Sequence, residues 1–151
     1  MAARTRIALV TSVGALLISG FGLSGVSSGA AAPAGKSVGS TISLRHTKDG
    51  KVLVGSNGHT LYTFTSDTKN HSNCGPACRK QWPPVTATGK PHAGAGVSAK
   101  HLAVIKGHQV TYYGHPLYTY FKDTKAGQVK GEGLFKFEGY WYLTSAKGGK
   151  L

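Results

Sequence analysis

A tyrosine followed at a fixed distance by an aspartate occurs twice in this chain, and both residue types can do acid–base chemistry. Tyr62 precedes Asp67, and Tyr118 precedes Asp123 at the same spacing. Two carboxylates brought together can share a proton or bind a cation, which would be a catalytic or binding role. Alternatively, an aspartate that follows a strand accepts backbone N–H groups two residues on, while the tyrosines fill the core. We favour this structural role.

The two tyrosine–aspartate pairs lie inside an internal duplication. Residues 58–70 align without gaps on residues 114–126, and eight of the thirteen positions are identical. Trp82 and Trp141 follow the two copies, which indicates a repeat unit longer than the matched core. Such a duplication predicts two supersecondary units packed about a pseudo-twofold axis.

Cys74 and Cys78 are the only cysteines of the chain. Cysteines four residues apart on a helical turn have Cα atoms roughly 6 Å apart, which a disulfide accepts. In an exported protein the two are therefore expected to form a disulfide that fixes the turn before Trp82. A thiolate metal or redox site is the alternative, although the spacing differs from the C-x2-C of redox motifs.

Histidines occupy equivalent positions in the two copies. His59 and His115 could bind copper or zinc together, with His101 or His108 completing the site. Solvent-exposed turn histidines are the alternative that we favour. We therefore predict no cofactor and keep His59 and His115 as candidate metal ligands only.

Three features together resemble one known family. They are the two Tyr-x4-Asp pairs, the cysteine-bearing segment 72–85 and the run 109–118. This combination is similar to the bacterial "secreted repeat of unknown function" family of predicted lipoproteins, over roughly residues 44–146. The resemblance implies an exported protein with tandem repeats and no established activity. Members often carry a lipidated cysteine after the signal, whereas here the only cysteines are Cys74 and Cys78.

The N-terminus is typical of a secretory signal. Arg4 and Arg6 precede a mostly apolar stretch, and small residues around Ala30 to Ala32 suit cleavage. An uncleaved membrane anchor is the alternative, but the stretch becomes too rich in Gly and Ser to supply about 20 apolar residues. We predict a signal peptide over 1–32, a flexible linker over 33–43 and one β domain over 44–147, with repeats at about 50–88 and 101–147.

The chain is strongly basic. Without Arg4 and Arg6, 16 of its 18 Lys and Arg remain against five acids, which gives a net charge of about +11. Such a charge favours acidic partners, and outside a cell these are anionic envelope polymers, surfaces or proteins rather than nucleic acid. A merely soluble, lysine-rich surface is the alternative. The predicted location is secreted or extracytoplasmic, with no transmembrane segment in the mature protein and no prediction of oligomeric state.

Short β-rich runs separated by Gly-bearing turns predict an all-β antiparallel domain, a small sandwich or barrel-like stack of two related sheets. Hairpins are expected over 52–64, 101–113 and 133–144, with Pro116 at a non-pairing position. A helix of at most two turns is expected in the Cys-x3-Cys segment, capped by Ser72 or Asn73 and ended by Pro83.

No catalytic motif accompanies these elements. The chain has no G-x-S-x-G, no H-E-x-x-H and no phosphate-binding glycine loop. We therefore predict that the protein is not an enzyme but an exported repeat module of the cell envelope that binds an acidic polymer, a surface or a protein. The alternative is an extracytoplasmic metal-binding or electron-transfer accessory protein.

Overall fold

The computed structural model describes residues 41–151. The signal peptide predicted for 1–32 and most of the predicted linker lie outside the described residues. In the described part of the chain, no helix is long and apolar enough to cross a membrane.

The elements follow in the order β1 (Thr41–Thr47), β2 (Gly50–Gly55), β3 (Tyr62–Phe64), α1 (Pro76–Gln81), β4 (His92–Ala93), β5 (Leu102–Val104), β6 (Val110–Tyr112), β7 (His115–Pro116), β8 (Leu134–Lys136) and β9 (Gly139–Leu143).

The strands form three sheets of three strands each, in the orders β2-β1-β4, β3-β9-β8 and β5-β6-β7. Strand pairing is antiparallel except between β1 and β4. Within residues 41–151 the one α-helix is α1, at the Cys-x3-Cys segment. The predicted class, an all-β antiparallel domain of two repeats with one short helical turn, is confirmed. The number of sheets is three rather than the two expected.

The folded part extends beyond both predicted boundaries. β1 begins at Thr41, and Ile42 is fully buried opposite Gly55 of β2. Placing residues 41–43 in the linker was therefore wrong, because Ile42 fills the core although its neighbours are small and polar. At the other end, Leu151 N–H donates to the Leu143 carbonyl oxygen at 3.0 Å, so the pairing continues past residue 147.

Two of the predicted hairpins form as expected. β5 pairs with β6, and Leu102 lies opposite Tyr112. β8 pairs with β9 around Phe137 and Glu138, whose φ angles are both positive, at 57° and 64°. Positive φ at both central residues is the signature of the tight turn that suits the twist of a hairpin.

The hairpin predicted over 52–64 is right at its turn and wrong at its far end. Gly58 has a φ of 75° in the turn, and Val54 bridges Thr60. From Tyr62 onward the chain leaves β2, and β3 pairs with β9 of the second repeat instead. In β7, Pro116 lies opposite Thr111 of β6. The N–H of the next residue, Leu117, donates to the Val110 carbonyl oxygen at 3.0 Å.

α1 begins after Gly75, so the predicted capping by Ser72 or Asn73 was wrong. Gly75 has extended backbone angles and no side chain caps the helix, which starts with Pro76. Asn73 is engaged elsewhere, since its side-chain amide donates to the Ser66 carbonyl oxygen at 2.6 Å. At the other end, Trp82 N–H donates to the Cys78 carbonyl oxygen at 2.8 Å before Pro83 stops the helix.

Two hydrophobic clusters form the core of residues 41–151, and each draws on both repeats. One is built around Ile42, Leu53 and Leu117. The other contains both tryptophans, both cysteines and the two motif tyrosines. Every motif residue singled out from the duplication, apart from the aspartates, is therefore part of one cluster.

Candidate functional site

Tyr62 and Tyr118, the equivalent tyrosines of the two repeats, lie opposite each other on antiparallel segments. The Tyr62 N–H donates to the Tyr118 carbonyl oxygen at 2.9 Å, and the Tyr118 N–H returns the bond at 3.0 Å. Two residues that exchange both hydrogen bonds are related by a local twofold axis. The pseudo-twofold axis of the repeats therefore passes between these two tyrosines.

Each motif tyrosine bonds the aspartate of the other repeat. The Tyr62 hydroxyl donates to Asp123 Oδ2 at 2.6 Å, and the Tyr118 hydroxyl donates to Asp67 Oδ2 at 2.7 Å. These distances are those of strong, charge-assisted hydrogen bonds. The Tyr-x4-Asp motif is therefore half of a reciprocal contact, and neither copy completes it alone.

The second oxygen of each carboxylate fixes a returning loop. Asp67 Oδ1 accepts the Asn73 N–H at 2.7 Å, and Asp123 Oδ1 accepts the Lys130 N–H at 3.0 Å. Each aspartate was expected to accept the N–H of the residue two positions further along. That expectation was wrong about which N–H is the donor. The loop after each strand is longer than a single turn, so the N–H groups that reach the carboxylates lie six and seven residues along the chain.

The two phenol oxygens accept hydrogen bonds as well as donate them. Gly131 N–H donates to the Tyr62 hydroxyl oxygen at 3.2 Å. Ser72 Oγ lies 2.7 Å from the Tyr118 hydroxyl oxygen. Because the Tyr118 proton goes to the stronger acceptor, the Asp67 carboxylate, the serine hydroxyl is the donor in this contact. Both phenols are thus held from two sides.

Burial is the largest cause of the pKa shifts in both pairs. It raises the pKa of the Tyr62 and Tyr118 phenols well above their usual range, and the adjoining aspartates raise these pKa values further. Burial also raises the pKa of Asp67 and Asp123, although the N–H and phenol donors oppose that change. The phenols therefore keep their protons and act as donors, which suits a buried brace and not a general base.

The aromatic residues of the repeats form a continuous stack beside the two pairs. Trp82 and Trp141 lie face to face, with ring centroids 3.8 Å apart and planes 3° from parallel. Phe64 stacks on the outer face of Trp141 at 4.3 Å, and Tyr120 stacks on Trp82 at 4.2 Å. Phe64 and Tyr120 are equivalent positions, so the stack crosses between repeats in the same way as the hydrogen bonds.

The predicted disulfide between Cys74 and Cys78 is confirmed. Both cysteines are buried in the cluster that contains the tryptophan pair. Arg79 Nε donates to the Cys74 carbonyl oxygen at 2.8 Å, so the helix is tied to the bridge from outside as well. The disulfide occupies both thiols, which leaves no cysteine for a thiolate site.

The candidate metal ligands are not brought into a cluster. Across residues 41–151, no group of three or more His, Cys, Asp or Glu side chains lies close enough to hold a metal ion. His59 and Asp123 line one cleft of about 190 Å³, with Tyr120 and Phe121. His115 is exposed on β7.

A family model described as "secreted repeat of unknown function" matches residues 43–86 and 105–144, together more than half of the chain. The chain belongs to this family. Each matched segment of this secreted-repeat protein contains one Tyr-x4-Asp pair and one tryptophan of the stacked pair. Neither the curated proteins nor the solved structures contain a match.

Proposed function

We propose that this secreted-repeat protein is an exported, non-catalytic module of the bacterial cell envelope that binds an acidic polymer through its basic surface. The proposal rests on a difference between the basic and the acidic side chains in their exposure to solvent. Every Lys and Arg side chain between residues 41 and 151 is exposed. Of the five acids, Asp123 is buried and Asp67 is half-buried.

The two withdrawn acids are those of the Tyr-x4-Asp motif. Their carboxylates accept hydrogen bonds from tyrosines of the opposite repeat, so they are engaged inside the fold. Within residues 41–151 the one ion pair joins Lys48 to Asp49. The basic side chains are therefore largely free to attract anions from solution.

Some of these basic residues lie close together, beside Asp123 and in the loop that follows it. Lys122 and Lys125 are exposed there, and the Lys130 ammonium donates to the Lys122 carbonyl oxygen at 3.3 Å. Arg45 of β1 reaches the same loop, because a Cβ atom placed on Gly127 would lie 3.5 Å from its guanidinium. We call these four residues the basic patch. The acid in the middle of it, Asp123, is buried.

The motif residues also support a non-catalytic role. Both carboxylates and both phenols are already engaged in short internal hydrogen bonds. A catalytic carboxylate has to be reached by a substrate, whereas Asp123 is buried and both carboxylates are held by internal donors. The use of these groups as braces between repeats leaves the surface, rather than the motif, as the functional part.

Retention on immobilised polyphosphate tests the proposal. The wild-type protein should bind at low ionic strength and be released as salt rises, because screening acts on exposed charges. The double variant Lys122→Gln, Lys125→Gln should be released at lower salt. The matched control, Lys122→Arg with Lys125→Arg, keeps the charge and should elute with the wild type. Retention that does not change with salt concentration would contradict the proposal. Elution of the two double variants at the same salt concentration would contradict it as well.

A further inference from the structure

The outer face of the β3-β9-β8 sheet carries a row of aromatic side chains that the core does not use. Phe135 is 60% exposed and Tyr140 is 46% exposed. Tyr142 follows two residues along β9 and is half-buried. Because side chains alternate along a strand, Tyr140 and Tyr142 share the face opposite to the buried Trp141. We call Phe135, Tyr140 and Tyr142 the aromatic ladder.

The members of the ladder contact one another. Phe135 of β8 lies directly opposite Tyr140 of β9, with ring centroids 4.9 Å apart. The Tyr140 and Tyr142 rings are 5.9 Å apart and only 18° from parallel. The Phe135 and Tyr140 rings are inclined by 61°, so the three side chains are contiguous and present both faces and edges. Contiguous exposed apolar side chains, unlike single ones, are typical of surfaces that bind a partner.

Positive charge lies at the Tyr142 end of the ladder. The Lys150 ammonium lies 4.0 Å from the centre of the Tyr142 ring, in a cation–π contact. Lys136 follows Phe135 on β8, so its side chain leaves the opposite face of the sheet and does not belong to the ladder. Glu138 lies in the turn between the two strands. Lys150 is therefore the charged group in contact with the ladder, and its charge attracts anions.

From this combination we propose that the aromatic ladder binds the sugar rings of an anionic polysaccharide. A pyranose ring presents C–H groups on its faces and hydroxyls at its rim, so it can stack on an aromatic face while the phenol hydroxyls meet its rim. Lys150 then pairs with an acidic group of the polymer. This inference rests on the proposed function, since it names the class of acidic polymer, but it uses residues outside the basic patch.

Two other occupants fit the observations less well. Three side chains offer too little area for a stable dimer, which buries about 800 Å² on each partner. Single-stranded nucleic acid also stacks on aromatic residues beside basic ones. The family of this chain is described as secreted. A secreted protein encounters envelope polysaccharide before it encounters nucleic acid.

Two soluble polyanions separate stacking from charge: polygalacturonate, which has pyranose rings, and polyphosphate, which has none. The double variant Phe135→Ala, Tyr140→Ala should bind polygalacturonate about tenfold more weakly and polyphosphate as well as the wild type does. Tyr140→Phe keeps the ring and should keep most of the binding. Val104→Ala removes an exposed apolar side chain, 37% exposed, from the β5-β6-β7 sheet, and is the matched control that should change neither affinity. Thermal melts should show all four proteins folded.

The outcomes distinguish the two proposals. Salt-sensitive binding of polyphosphate that the ladder variants leave intact supports the proposed function whatever happens with the sugar polymer. Equal losses for both polymers, or no loss for polygalacturonate, overturn the polysaccharide assignment. Ladder-dependent binding of oligo(dT) at least as tight as that of polygalacturonate would assign the ladder to nucleic acid. Ladder-dependent self-association in sedimentation would assign it to a second copy of the chain.

Discussion

The Tyr62 hydroxyl and the Asp123 carboxylate, 61 residues apart in sequence, are joined by a 2.6 Å hydrogen bond in the core. Its counterpart joins Tyr118 to Asp67 across 51 residues. Because each repeat supplies the donor of one bond and the acceptor of the other, the motif is completed only when the two repeats pack together. We therefore regard the motif as the device that matches one repeat to the other, and three of the four predictions below test it.

Replacing either motif aspartate by alanine should destabilise the protein. Asp123→Ala removes the acceptor of the Tyr62 hydroxyl and the Lys130 N–H, at a cost of about 1.5 to 3 kcal/mol in the free energy of unfolding. Asp67→Ala should cost less, because Asp67 is more exposed. Asparagine keeps one acceptor oxygen, so Asp123→Asn should recover part of the loss. Urea denaturation measures these differences.

The matched control for that series is Asp49→Ala. Asp49 is exposed and its carboxylate is hydrogen-bonded to the neighbouring Lys48 ammonium alone, so replacing it should change stability by less than about 0.5 kcal/mol. Alanine variants at 67 and 123 that unfold at the wild-type urea concentration would show that the carboxylates do not brace the fold.

A double-mutant cycle can test the exchange of partners between repeats. Tyr62→Phe and Asp123→Ala should be coupled by about 0.5 to 3 kcal/mol, because the two side chains share a hydrogen bond. Tyr62→Phe and Asp67→Ala belong to the same repeat but to different bonds, so their effects should add. Coupling within the repeat and additivity between repeats would contradict the reciprocal arrangement. Unfolding free energies of the single and double variants provide both cycles.

Much of this fold follows from local sequence, but the partner of each motif residue does not. Gly58 marks the turn between two apolar runs, and the duplication itself predicts the pseudo-twofold axis. The acceptor oxygens of Asp67 and Asp123 are matched by the backbone N–H groups of Asn73 and Lys130. Every residue except proline has such an N–H, so no residue type signals which one returns to the carboxylate.

The exchange between repeats was equally invisible in the sequence. A buried tyrosine and a strand-end aspartate of the same repeat are the nearest partners along the chain, and nothing in their spacing excludes that pairing. The packing decides the matter, because β3 leaves its hairpin to join β9 of the other repeat. The aromatic ladder was missed for a related reason. Trp141 and Tyr140 are adjacent aromatic residues, and only the sheet shows which of them faces the core.

The disulfide should contribute modestly and measurably to stability. Cys74 and Cys78 close a loop of five residues, for which the chain-entropy relation gives about 2 kcal/mol. The native protein should show no reactive thiol until it is unfolded and reduced. Reductant should lower the urea midpoint of the wild type and leave that of Cys74→Ala, Cys78→Ala unchanged. Two thiols that titrate in the folded, unreduced protein would contradict this prediction.

The protein should lose stability steeply at alkaline pH. Burial raises the pKa of Tyr62 and Tyr118 in the folded state, whereas in the unfolded chain both phenols titrate near 10. Their contribution to stability is therefore complete below pH 10 and is lost as the pH rises further, because only the unfolded state then releases the protons. Each tyrosine should add about 1.4 kcal/mol per pH unit to this loss.

Urea denaturation between pH 8.5 and 11.5 measures the slope. The double variant Tyr62→Phe, Tyr118→Phe should be less stable at pH 8 but lose stability less steeply above pH 10. Equal slopes for the two proteins would show that the phenols ionise as readily in the folded state as in the unfolded one, which their burial against Asp123 and Asp67 does not allow.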